Sequence, residues 1–271
     1  MTPIRLSREE ATSAGLAWIA AAAFMAALFV TIAPAQVFDA RLFNGAPIWD
    51  KPLKFSLSLG LHFLTLAALL QILPQERRGG PAIAFAVLTS IAAGIFEIAY
   101  IALQAARGEA SHFNYETPMS IAIYGAMGVG AVLLILAAFI LGLRIASTKD
   151  VQPSGLLDGA ILGLIFGPVL TLIVAGFMSQ YGSHFVGPPE ASDSGGIFLF
   201  GWSTANGDLR PAHFFALHMM QAAPIAGWLG DQVSPRAGSV LAFAAAAVFG
   251  LLSIAAFAIA LSGQSPLWFL S

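Results

Sequence analysis

Seven apolar stretches, each close to the ~20 residues an α-helix needs to cross ~30 Å of hydrocarbon, govern what this chain can fold into. They are Gly15–Ile32, Leu53–Leu73, Pro81–Ala106, Met119–Leu143, Leu156–Met178, Pro211–Leu229 and Ser239–Leu261. Together they use most of the 271 residues, so residues 1–271 read as a single transmembrane domain. Only 10% of the residues are charged and 58% are apolar, far from the ~25% charged of soluble domains. Backbone polar groups in hydrocarbon must be satisfied internally. The predicted fold class is therefore an all-α membrane protein, a bundle of seven transmembrane helices.

The first stretch imitates an export signal, because Arg5 and Arg8 precede it and Ala33-Pro34-Ala35 follows it. Its apolar run exceeds the ~7–15 residues of a signal core, and Glu9 and Glu10 crowd its start. A retained span is the expectation. Lys and Arg set orientation. Arg5, Arg8, Arg77, Arg78, Arg144, Lys149 and Arg236 fall on one side, and Arg41, Lys51, Lys54, Arg107 and Arg210 on the other. That bias places the N-terminus inside. The long loops Phe38–Asp50, Arg107–Pro118 and Gln180–Asp208 then lie outside.

A net charge of −2 argues against nucleic acid as a partner, since phosphate binding needs clustered cations. The absence of cysteine excludes thiolate chemistry, iron–sulfur clusters and disulfides. The only lysines, Lys51, Lys54 and Lys149, lie outside the last span, which removes the usual retinal arrangement. Gly159, Gly163 and Gly167 recur every fourth residue before Pro168, a pattern that lets a neighbouring helix backbone approach closely.

Ionisable groups at bilayer depth are costly and mark sites. Three lie deep. His62 and His218 are each about 12 Å below Lys54 and Arg210, and Glu97 is ~15 Å below Arg107, at 1.5 Å per residue. Helical phase gathers them into stripes: Lys51, Lys54, Ser58, His62 and Thr65 on the second helix; Ser90, Gly94, Glu97, Ile101 and Gln104 on the third, with Tyr100 at its edge; Arg210, His213, Leu217 and Gln221 on the sixth, with His218 beside Gln221. The stripes predict an outward-facing polar cavity lined by Ser58, Tyr100, Gln104 and Gln221. Lys54, His112, Arg210 and His213 stand at its entrance. Leu53-Lys54 with Leu61-His62 echoes Leu209-Arg210 with Leu217-His218, a weak internal repeat.

Two histidines at equal depth on different helices suit bis-imidazole ligation of haem b. His62, Glu97 and His218 also supply the two-imidazole, one-carboxylate set that holds a transition metal. The leading expectation is a haem or metal site serving a redox step on an unidentified small molecule. The same residues suit a proton-coupled small-molecule transporter, and a non-catalytic scaffold or membrane-complex subunit, oligomeric or not, is the third reading.

Three segments carry a resemblance: Trp49-Asp50-Lys51-Pro52 with Lys54-Phe55, Ser111-His112-Phe113-Asn114, and Gly207-Asp208-Leu209-Arg210 through His213, His218 and Gln221. As a set they resemble an uncharacterised group of bacterial multi-pass membrane proteins. The resemblance implies the bacterial cytoplasmic membrane and no activity.

Overall fold

Each apolar stretch forms one helix in the computed structural model, which describes residues 12–149, 151–187, 196–197 and 200–265. Arg5, Arg8, Glu9 and Glu10, and parts of the Gln180–Asp208 loop, lie outside the described residues. The helices are α1 (Ser13–Phe38), α2 (Asp50–Leu70), α3 (Pro81–Arg107), α4 (Pro118–Ala146), α5 (Gly155–Tyr181), α6 (Arg210–Asp231) and α7 (Pro235–Leu261). Their ends follow side-chain chemistry. Thr12, Thr117, Ser154 and Ser234 cap α1, α4, α5 and α7 through their hydroxyls, which satisfies amide groups a helix start leaves open. Gly108 and Gly182 end α3 and α5 in the left-handed conformation that glycine adopts without strain.

Six of these helices, all but α6, are long and apolar enough to cross a membrane, which marks a multi-pass membrane protein. Helix α6 falls short of that hydropathy because it carries Arg210, His213, His218 and Gln221. Its 22 residues would still rise about 33 Å. It packs closely on α5 and α7, and the glycine stripe explains how. A side chain at Gly159 would collide with the Ala223 carbonyl oxygen, one at Gly163 would come within 2.7 Å of the Met219 carbonyl oxygen, and one at Gly167 within 3.0 Å of that of Ala216. The neighbour expected of the stripe is thus the α6 backbone. Asp231, the last residue of α6, accepts the Gly155 and Leu156 amides at 2.7 and 2.9 Å, tying the start of α5 to the end of α6.

The other four helices share a core with the inner faces of α5 and α6, in which Trp18, Met25, Phe63, Leu66, Ile83, Leu141, Leu164 and Met220 are fully buried. The Trp18 indole donates to Ser90 Oγ at 3.0 Å, fixing α1 on α3. Ala33-Pro34-Ala35 lies inside α1.

Two small antiparallel pairs sit at the end of the bundle where α2 and α6 begin. In the first, β1 (Leu42–Phe43) pairs with β2 (Ala46–Pro47) across Asn44-Gly45, both with positive φ (50° and 82°), the backbone that this dipeptide favours in a two-residue hairpin. At its base Asp39 accepts from Arg41 and from Trp49 Nε1, and the Arg41 guanidinium holds the Asp39 carboxyl well below the usual carboxylate range. In the second, β3 (Phe185–Val186) pairs with β4 (Gly207–Asp208).

Candidate functional site

The α3 stripe turns inward as its phase requires: Ser90, Gly94, Glu97, Ile101 and Gln104 are all buried. Glu97 is 3% exposed, and neither of its carboxyl oxygens has a hydrogen-bond partner among the described residues. Its space comes from Gly130 on α4, where a Cβ would stand 3.2 Å from Glu97 Oε1. A titratable neighbour is His112, from the loop joining α3 to α4. Its Nε2 stands 3.9 Å from Glu97 Oε2, within ion-pair reach but beyond a hydrogen bond.

That loop is folded back onto the bundle by its own polar groups. Gln104 on α3 and Asn114 both donate to the Ala110 carbonyl, at 3.0 and 3.1 Å. Phe113 adopts φ of 53°, a left-handed conformation rare for a bulky residue and worth about 1–3 kcal/mol of strain. The result seats the His112 ring among Phe55, Tyr124 and Phe113, at centroid distances of 5.8, 6.0 and 6.5 Å.

On its other side His112 Nδ1 lies 3.1 Å from Lys51 Nζ and 3.2 Å from Ser111 Oγ. An ammonium can only donate. Nδ1 therefore accepts, and the ring proton sits on Nε2, facing Glu97. Burial, with the nearby Lys51 and His184, pushes the His112 imidazole well below its usual value, so it stands neutral. Lys51, His112 and Glu97 thus form a line from the start of α2 to a buried carboxyl.

The remaining expected residues have other engagements. Lys54 pairs with Asp50 at 2.8 Å, and Gln36 donates to the same carboxyl. Arg210 pairs at 2.8 Å with Asp208, which is fully buried, and lies over the Phe185 ring. Both entrance cations are therefore neutralised by adjacent acids. Gln104 positions the loop rather than lining a space, and Tyr100 is half-buried. His213 Nδ1 is buried without a hydrogen-bond partner among the described residues.

His62 and His218 share a depth but not a direction. The buried His62 ring lies beside the Leu134 backbone on α4, and its Nε2 has no hydrogen-bond partner among the described residues. His218 Nδ1 meets Gln221 Oε1 at 3.2 Å, and its ring packs on Phe214. Glu97 faces His112 instead of either. Among the described residues no three His, Asp or Glu side chains gather closely enough to hold a metal ion. The structure supplies two residues missing from the expected site, Lys51 and Tyr124. Lys51 heads the α2 stripe and was legible there. Tyr124 has no signal in the sequence. No family model, curated protein or solved structure matches the chain.

Proposed function

We propose that this protein crosses a bacterial cytoplasmic membrane seven times with its N-terminus inside, and binds a small polar ligand from the outer face through proton exchange between His112 and Glu97. The observation that carries the reading is the buried Glu97 carboxyl, unpartnered among the described residues and faced by an imidazole whose other nitrogen accepts from Lys51. An imidazole so held is a relay. A proton enters at Nδ1, from the Lys51 ammonium or a ligand in its place, and the proton already on Nε2 passes to Glu97 Oε2. Closing the 3.9 Å gap to hydrogen-bond length takes a shift of about 1 Å. The weak repeat fits this topology: Gln221 donates to Thr65 across 156 residues, the same separation as Lys54 from Arg210 and His62 from His218.

Two measurements test the reading. After an acid pulse, an indicator dye should report less proton uptake by the purified Glu97→Gln and His112→Gln variants than by the wild type; equal uptake contradicts it. The native chain has no cysteine, so single substitutions report topology cleanly. A membrane-impermeant maleimide should label Ala205→Cys in intact cells and Gln232→Cys only after lysis. Labelling of both in intact cells would remove α6 from the count of spans.

The haem or metal reading retains one observation, the buried Nε2 of His62. A Soret band or stoichiometric metal in the purified protein would establish it.

A further inference from the structure

Helices α2 and α6 are bridged at two levels and open between them. At the deeper level Gln221 Nε2 donates to Thr65 Oγ1 at 3.0 Å. Nearer the outer end Lys54 Nζ reaches the Phe200 carbonyl oxygen at 3.4 Å, and Phe200 stacks on Trp202 and meets Phe214 of α6 edge-on. Lys54, Ser58, Leu61 and Thr65 follow one another at four, three and four residues and so share one face of α2. Phe214, His218 and Gln221 do the same on α6. Yet Ser58 and Leu61, between the two bridges, are exposed. Ser58 and His218 Nε2 have no hydrogen-bond partner among the described residues. Helices α2 and α6 are not closely packed on each other, and with Ser58 and Leu61 exposed the level between the bridges forms a cleft at the side of the bundle.

The protonation of His218 follows from the hydrogen-bond chain behind it. Thr65 gives its hydroxyl proton to the Leu61 carbonyl at 2.7 Å, so its oxygen can only accept from Gln221. That fixes the Gln221 amide with its NH2 toward Thr65 and its oxygen toward His218 Nδ1. A carbonyl oxygen can only accept, so Nδ1 carries the ring proton. Nε2 is left as a bare lone pair in the cleft. At this level of α2 the exposed side chains are Ser58 and Leu61, whereas His62 is buried.

We infer that this lateral cleft is a binding site for a lipid-soluble hydroxyl compound of the quinol class, whose O–H donates to His218 Nε2 and whose ring lies against Phe214 and Leu61. A hydroxyl donor satisfies the bare acceptor that His218 Nε2 presents. An apolar tail leaves through the open side without desolvating anything. Ser58 offers a second hydroxyl for the ligand's other polar group. The oxidised quinone, with acceptors only, has nothing to give Nε2 and binds weakly.

The test uses the full chain in lipid nanodiscs with decylubiquinol under anaerobic reducing conditions, and decylubiquinone as its comparison. The quinol should bind at least about tenfold more tightly than the quinone, which corresponds to ~1.4 kcal/mol. That preference should disappear in His218→Leu. Ser58→Leu, at an exposed position that cannot disturb folding through packing, should block the cleft and lower binding of both forms. Nitrogen NMR of His218 should show the Nδ1-protonated tautomer in the wild type and a mixture in Gln221→Leu, a readout that a purely structural glutamine would not move. Glu97→Gln should bind the quinol as the wild type does, which separates this site from the Glu97 pocket. Equal binding of quinol and quinone, or unchanged binding in His218→Leu, overturns the inference. A Soret band that disappears in His218→Leu overturns it too, by assigning Nε2 to iron.

Discussion

Leucine at Gly159 will leave most of the protein unable to assemble. A side chain there meets the Ala223 carbonyl and the Pro224 Cα of α6, which are backbone atoms and cannot swing aside as a side chain would. Moving α6 away also breaks the approaches at Gly163 and Gly167 and the Asp231 carboxylate's hold on the Gly155 and Leu156 amides. Helices in lipid associate through close packing and hydrogen bonds, with no hydrophobic drive between them, so little remains to hold the displaced pair. The cost should exceed ~4 kcal/mol, the range reserved for disrupted cores. Fluorescence-detected size exclusion in detergent should show loss of the monodisperse peak. Gly125→Leu and Gly176→Leu, where nothing stands within 4 Å of an added Cβ, should keep it. Equal behaviour of the three variants would mean that α5 does not seat on α6 through its glycines.

The second large effect has opposite signs at two buried acids. Glu97→Met removes a carboxyl that no described residue hydrogen-bonds and should stabilise the protein by about 1–4 kcal/mol, as replacing buried ionic groups by packed apolar ones commonly does. Asp208→Ala strips Arg210 of its buried partner and leaves the Ser203 amide unmatched. Breaking such a pair costs about 3–5 kcal/mol. Thermal melts in one detergent should therefore move up for the first variant and down for the second. A fall in both would assign Glu97 a structural role.

Much of this was legible in the sequence, and the reason is the solvent. Hydrocarbon forces a span to be helical and about one membrane long, so apolar run lengths place the ends of the seven helices within four residues of those observed, except that α1 runs six residues beyond Ile32 to Phe38. The inward turn of the α3 stripe and the close approach at Gly159, Gly163 and Gly167 follow from helical phase alone. The Asn44-Gly45 hairpin carried a local signal that hydropathy passes over. The assembly of the site was not legible, because phase and depth say nothing about which helices are neighbours. His62 and His218 match in depth, but one looks to α4 and the other to Gln221. His112 reaches Glu97 only because Gln104 and Asn114 draw the Ala110 carbonyl inward, a loop fold with no periodic signature. The pairing of Lys54 and Arg210, expected at the entrance, with Asp50 and Asp208 was not visible either, because both acids sit just outside the apolar stretches.

Infrared difference spectroscopy tests the proton exchange between His112 and Glu97 most directly. Membranes containing the wild type, cycled between alkaline and mildly acidic pH, should show a protonated-carboxyl C=O band that is absent in Glu97→Gln and shifted in His112→Gln. A carboxyl spectrum that Glu97→Gln leaves unchanged would contradict the account.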